Sequence, residues 1–189
     1  MNLERIVVVG KSGSGKSTLA KKLAEKVHLT YVELDAINWL PNWRVCRRDD
    51  MRKRAEEALP VDGRWVADGN YIRRVIDIFW PRANTVIWLD YPLRVALLRL
   101  LWRTIRRIFW REELWNGNRE SLRKHLSLDK DKNLFIWMIR THKQHRNEFP
   151  VLFKQPEYSH LNVLRFRTPA ETEQWVNGLR CAKTSEAIK

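Results

Sequence analysis

Short uninterrupted apolar runs alternate along this chain with longer stretches in which apolar residues recur every third or fourth position. Ile6-Val7-Val8-Val9 is a continuous β-branched run, the pattern of a strand buried on both faces of a parallel sheet. After a break at Gly10 to Gly15, the positions Leu19, Ala20, Leu23, Ala24 and Val27 predict a helix over 17–27. Further strands are predicted at 31–34, at 64–68 after the turn Asp62-Gly63, at 85–90 and at 161–166. Helices are predicted over 49–59, where Pro60 stops the run, over 93–109, over about 132–149 and over 169–179. This alternation implies an α/β fold, a doubly wound five-stranded parallel sheet flanked by helices. Ligands of such sheets bind beyond the carboxyl ends of the strands, so Asp35, Asp68 and Asp90, which end three of them, carry extra weight.

The interval between Asp90 and the last strand is about 70 residues, more than one crossover helix requires. It predicts a helical insertion at about 104–146 within one domain spanning 1–180, followed by a tail at 181–189. Charge sharpens that picture. The chain of 189 residues carries a net +14, and residues 94–146 hold 14 Lys and Arg against 5 Asp and Glu. An acidic partner is implied. Tryptophans 102, 110, 115 and 137 lie among those cations, a mixture also used to hold single-stranded nucleic acid. Trp39 and Trp43 are placed to line a pocket or stack on a base, whereas most of the ten tryptophans are expected in the core.

Composition also excludes several classes. An apolar fraction of 44% rules out a disordered chain. Cys46 and Cys181 are too few for a disulfide scaffold, and no Cys/His cluster suggests structural zinc. The most apolar stretch, 85–102, contains Asp90, Arg94 and Arg99, too many charges for a membrane span. With the charged start Asn2-Leu3-Glu4-Arg5, the expectation is a soluble cytoplasmic protein with no membrane partner and an open oligomeric state.

Gly10-Lys11-Ser12-Gly13-Ser14-Gly15-Lys16-Ser17 fits G-x-x-x-x-G-K-[ST] at every position and lies between a predicted strand and helix. Glycines let successive backbone N–H groups turn inward toward phosphate oxygens, and the following helix adds positive potential. The expected nucleotide contacts are Gly10, Ser12, Gly13, Ser14, Gly15, Lys16, Ser17 and Thr18. Lys16 is expected to reach the β- and γ-phosphates, and the Ser17 hydroxyl to ligate Mg2+.

With this loop and the acidic strand ends, the chain resembles the nucleoside-monophosphate-kinase branch of P-loop proteins. More narrowly it looks like the small adenylate-kinase-like proteins known as DNA topology modulation proteins. The narrower likeness rests on Leu34-Asp35-Ala36-Ile37-Asn38-Trp39, Trp65-Val66-Ala67-Asp68-Gly69-Asn70-Tyr71 and Val86-Ile87-Trp88-Leu89-Asp90. The resemblance implies a P-loop fold whose insertion is a basic lid. By the same resemblance Asp68, in its Asp-Gly pair, serves the magnesium water shell, and Asp35 belongs to the acceptor site. Family members follow the Asp-Gly pair with Phe-Pro-Arg, whereas this chain has Asn70-Tyr71-Ile72-Arg73-Arg74, which displaces the acceptor arginine by one position. Counting nine and thirteen residues on from Asp90, as for adenylate-kinase lid arginines, gives Arg99 and Arg103, one toward adenine and one toward phosphate. Arg119, Arg123, Arg140 and Arg146 are candidates for a returning lid arginine, and the loop at 167–170 matches either an adenine-edge loop or a plain helix start. Asp90 itself is expected to cap the helix that follows it.

The expected activity is transfer of the ATP γ-phosphoryl group, with Mg2+, to a nucleotide or nucleoside-like acceptor. Lys16, Arg99, Arg103 and Asp35 form its catalytic set. Two alternatives stand beside it: an ATP-dependent nucleic-acid-binding protein, and a kinase of a non-nucleotide metabolite.

Overall fold

The computed structural model describes residues 3–60, 63–120 and 134–179 of the chain, without the side chains of 134–141 and 143. The expectations for the segment 121–133, for the Trp137 and Arg140 side chains and for the tail 181–189 lie outside the described residues. Five parallel strands form the predicted sheet: β1 (Arg5–Gly10), β2 (Thr30–Glu33), β5 (Trp65–Asp68), β6 (Thr85–Leu89) and β9 (Asn162–Phe166). Their spatial order is β2-β5-β1-β6-β9, so β1 is central and its carboxyl end opens onto the point where the chain reverses its winding.

The uninterrupted apolar runs are explained by burial on both sheet faces. Val7, Val9, Ala67, Val86 and Trp88 face one core, together with Met51 and Ala55 of α3 (Arg48–Glu57) and Val75, Ile78 and Phe79 of α4 (Ile72–Phe79). Ile6, Val8, Val66, Ile87 and Leu89 face the other, against Leu19 and Leu23 of α1 (Lys16–Val27). That second face also receives Val176 of α7 (Pro169–Gly178).

The chain between β6 and β9 leaves the sheet as α5 (Leu93–Phe109) and returns as α6 (Leu134–Leu152). Phe149 of α6 is fully buried, its ring 5.4 Å from Trp88 and stacked at 6.4 Å on Trp80. Phe153, just beyond the helix, stacks on Trp80 at 5.5 Å. Such aromatic contacts fasten the return of the insertion to the first core. Trp65, Trp80 and Trp88 are thus core residues, whereas Trp102 and Trp110 of the α5 region are 71% and 66% exposed.

Helix α4 lies where no helix was predicted, and two further features depart from the sequence expectation. Asp35 does not end a strand; it lies in the first turn of the short helix α2 (Leu34–Asn38), directly after β2. Two small antiparallel hairpins also occur, β3 (Trp39–Leu40) with β4 (Arg44–Val45), and β7 (Glu113–Leu114) with β8 (Asn118–Arg119). They dock on one another. Asn116 donates to the carbonyls of Ala36 and Trp39, and Asn118 donates to the carbonyl of Leu40 while accepting from the Trp43 backbone N–H. The insertion therefore meets the sheet domain at β3–β4 as well as at Phe149. Among the described residues no helix is long and apolar enough to cross a membrane.

Candidate functional site

The loop after β1 is shaped by what stands close to it. Gly13 has φ +78°, and a Cβ there would collide with the backbone carbonyl of Ala96 in α5. Gly10 has φ +150°, and its Cβ would come within 2.8 Å of the Leu89 carbonyl. Only glycine fits such approaches. Asn70, two residues beyond β5, clamps the start of the loop from both sides. Its Oδ1 accepts from Gly10 N–H at 3.0 Å, and its Nδ2 donates to the Gly10 carbonyl at 2.6 Å. Helix α1 then begins at Lys16 behind Gly15, with no side chain capping its first N–H groups. Uncapped N–H groups at a helix start form an anion-binding site.

Around the loop, the expected residues converge. Ser17 donates from its hydroxyl to Asp68 Oδ2 at 2.5 Å, and Tyr31 donates to Asp68 Oδ1 at 3.0 Å. Burial pushes the Asp68 carboxyl up to about 6, although the Ser17 hydrogen bond and the Lys16 charge pull it down. Lys16 donates to the Lys11 carbonyl at 3.2 Å. Burial lowers its ammonium from the ordinary range, opposed by Asp35 and Asp68 and aided by Arg103. Asp35 accepts a 2.5 Å hydrogen bond from the Tyr71 hydroxyl, whose ionisation is raised out of reach by burial and by the Asp35 charge.

The α5 arginines form the opposite wall. Arg103 donates to the Ser12 hydroxyl at 3.3 Å. Arg99, one turn earlier, sits 5.7 Å from the Tyr91 ring, and its Nη1 lies 3.6 Å from where a Cβ on Gly15 would stand. Loop, Asp35 and α5 arginines line one open cleft of about 1760 Å3. The groups present fit a bound nucleoside polyphosphate. Ser14 Oγ and Arg103 Nε are buried with no hydrogen-bond partner, and both belong to residues that line this cleft. Ser17 and Asp68 bring hard oxygens together beside the loop, the ligand type Mg2+ takes when it shares its shell with phosphates. Among the described residues no group of three His, Cys, Asp or Glu is positioned to hold a metal unaided.

Asp90 has a different role from the expected cap: Pro92 precedes α5 and no side chain caps that helix. Instead the Asp90 carboxylate, 1% exposed, is held by three cations from three parts of the chain. Arg146 Nε of α6 lies at 2.7 Å, Arg165 Nη2 of β9 at 2.6 Å, and Lys11 Nζ of the phosphate loop at 3.9 Å. Lys11 also donates to the Tyr91 carbonyl at 2.9 Å, and burial holds its ammonium down at about 8 against the pull of Asp90. Arg146, a candidate lid arginine, is therefore committed to this buried cluster, and Arg119 pairs at the surface with Glu113 at 3.7 Å.

Neither arginine after the Asp-Gly pair faces an acceptor. Arg74 donates to Asn38 and to the Cys46 carbonyl, and Arg73 is exposed on α4. The loop at 167–170 starts α7 as a capped helix, with Thr168 accepting from Glu171 N–H at 3.2 Å, and its Pro169 also lines the cleft. One cleft feature escaped the sequence. His145 lines the cleft, buried, with its imidazole held down at about 4 by burial and by Lys16 and Lys11. Trp39 and Trp43 line the cleft, as expected of them, and Trp115 of the other hairpin joins them in a second wall.

No protein-family model matches the chain, and no curated protein sequence matches it. Solved structures do share its fold. A sugar kinase from Janibacter sp. superposes with a TM-score of 0.51 at 22% identity, covering 93% of this chain and 91% of that one. A gluconokinase from Sinorhizobium meliloti gives 0.51 at 17% identity over 93% and 88% of the two chains. A shikimate kinase from Acinetobacter baumannii, in complex with shikimate, gives 0.51 at 15% identity over 93% and 90%. The architecture of this chain, a five-stranded parallel sheet with flanking helices and a phosphate loop after its central strand, is thus the one found in these P-loop kinases.

Proposed function

We propose that the protein is an ATP-dependent phosphotransferase that moves the γ-phosphoryl group onto a hydroxyl of a small acceptor. One observation carries this reading. The phosphate loop and Asp35 line one cleft at the carboxyl ends of adjacent strands, Asp68 is bonded behind the loop to the lining residue Ser17, and Arg103 crosses from α5 onto Ser12. A carboxylate oriented by a tyrosine beside the loop can hold an attacking oxygen. Transfer to an acceptor hydroxyl depends on placing that oxygen in line and neutralising charge, and the kinase names of the fold neighbours favour it over hydrolysis.

In this reading the backbone from Gly10 to Thr18 cradles the phosphates. Lys16 and Arg103 draw charge from the phosphoryl oxygens, and Arg99 lies along the nucleotide. Ser17 and Asp68 hold Mg2+, which when bound neutralises the β- and γ-phosphates. Asp35, aligned by Tyr71, accepts the hydrogen bond of the acceptor hydroxyl. As the acceptor oxygen bonds to the γ-phosphorus, the bond to the bridging oxygen breaks and ADP leaves with that electron pair. Asp35 takes the hydroxyl proton. The segment 104–146 acts as a lid that excludes water.

The sequence resemblance favours a nucleotide or nucleoside-like acceptor. The names of the fold neighbours, a sugar kinase, a gluconokinase and a shikimate kinase, favour a hydroxylated metabolite. The nucleic-acid alternative and the topology-modulation likeness draw no support from them. The test is Lys16→Ala. It is expected to abolish acceptor-dependent conversion of ATP while leaving the circular dichroism spectrum intact, and unchanged transfer would overturn the assignment.

A further inference from the structure

The acceptor half of the cleft is the part around Asp35, and its walls are unusual for a site that receives an anion. Three indoles line the same cleft. Trp39 and Trp43 meet edge to face at 5.4 Å, and Trp43 and Trp115 at 6.3 Å and 87°. Rings at right angles make a corner of apolar faces. Trp43 is held there in a backbone conformation that bulky residues rarely adopt, φ +57° after Asn42 at +61°. Two bonds from the other hairpin fix it: its N–H donates to Asn118 Oδ1 at 2.7 Å, and its indole N–H to the Arg119 carbonyl at 3.0 Å. With its indole nitrogen occupied, Trp43 offers the cleft carbon surface.

Most cations near this corner are already engaged. Arg107, which approaches the Trp115 ring at 6.0 Å, forms a 2.8 Å ion pair with Glu120, and the two side chains are 15% and 6% exposed. Arg106 pairs with Glu112 at 3.0 Å, and Arg74 is spent on Asn38 and Cys46. His145, held down at about 4, adds no charge at neutral pH. Among the described residues this leaves Asp35, the Arg107–Glu120 pair, and Lys16 and Arg103 on the loop side. Lys16 and Arg103, whose charges couple to Asp35, serve the transferred phosphoryl group in the proposed reaction, so a second anion placed at the acceptor position competes for them and meets Asp35, which disfavours anionic acceptors.

Resting on the phosphotransferase reading, we infer that the acceptor is an uncharged, hydroxyl-bearing ring that stacks on the indole corner while one hydroxyl reaches Asp35. Base and sugar faces both stack on indoles, so nucleosides and pyranosides share this chemistry.

The test is kcat/KM with Mg-ATP for matched pairs that differ by one anionic group: adenosine and AMP, thymidine and TMP, methyl glucoside and glucuronic acid. The neutral member is expected to win by at least about 100-fold, the scale on which a site rejects a group it cannot pair. Which pair turns over distinguishes the nucleoside from the sugar. Glu120→Gln frees Arg107 and is expected to lower the neutral-to-anionic ratio by about tenfold. Trp115→Leu, which leaves every charge in place, should raise KM for the neutral acceptor more than KM for ATP. Preference for the anionic members overturns the inference and leaves the kinase reading standing. No phosphorylation of any member by protein that still binds ATP overturns both.

Discussion

Replacing Asp90 by Asn keeps the shape of the side chain but removes the one negative charge that Lys11, Arg146 and Arg165 share. Removing one partner of a buried ion pair costs ~3–5 kcal/mol, because the other charge is stranded away from water. Here the strandings differ. The Arg146 and Arg165 side chains are 41% and 39% exposed and can turn into solvent, whereas Lys11 is 4% exposed and cannot. The cost therefore falls at the low end, about 3 kcal/mol, which for a chain of this size lowers Tm by roughly 6–12 °C. Urea denaturation at pH 7 of the wild type, Asp90→Asn, Lys11→Met and the double variant isolates the pair. Once Lys11 is gone, loss of Asp90 should cost less, with a coupling of about 1–3 kcal/mol. An Asp90→Asn protein within about 0.5 kcal/mol of wild type, or strict additivity, would refute the view that this carboxylate ties the phosphate loop to the returning helix.

Three further outcomes are expected. Burial holds Lys11 at about 8 against an ordinary 10.5, so between those pH values the unfolded chain binds a proton that the native state has released. Its contribution to stability therefore rises with pH through this window by about 1.4 kcal/mol per unit and is flat below about 8; Lys11→Met should lack that rise, and equal slopes in wild type and variant from pH 8 to 10 would contradict the burial argument. Gly13→Ala places a Cβ against the Ala96 carbonyl at φ +78°; it should cost at least ~1–2 kcal/mol for the backbone alone and weaken nucleotide binding by calorimetry, and wild-type affinity would contradict it. Arg103→Ala should lower kcat about 100-fold while changing the Kd for ATP only severalfold. Equal losses in both would make Arg103 a ground-state ligand.

The five strands and the phosphate loop were legible because their signals are local. A strand buried on both faces shows as an apolar run, as in residues 6–9, and an inward-turned loop shows as spaced glycines. Asp35, Arg99 and Arg103 line one cleft, and Asp68 stands behind it on Ser17. Asp35 was misplaced by one element, since a five-residue helix such as α2 is too short to show a period. The two hairpins have strands of two residues each and are held by Asn116 and Asn118 reaching across 75 to 80 positions, so no window of sequence contains their partners. Asn116-Gly117 did signal a turn, with φ +55° and +76°, but not what the turn would touch. The same distance in sequence hid Asn70 on Gly10 and Tyr71 on Asp35. It also hid the fate of Asp90, whose capping was the expected local explanation until Lys11, Arg146 and Arg165 claimed it.

The central claim is that the cleft joins a phosphate loop to an acceptor carboxylate. Phosphorus NMR of Mg-ATP with the protein tests it most directly, with and without small hydroxylated acceptors, in wild type and Asp35→Asn. A phosphorylated acceptor and ADP should form together, with the rate falling by roughly 100-fold or more in Asp35→Asn while ATP binding persists. Release of ADP and inorganic phosphate at one rate, indifferent to every acceptor and to the loss of Asp35, would contradict it.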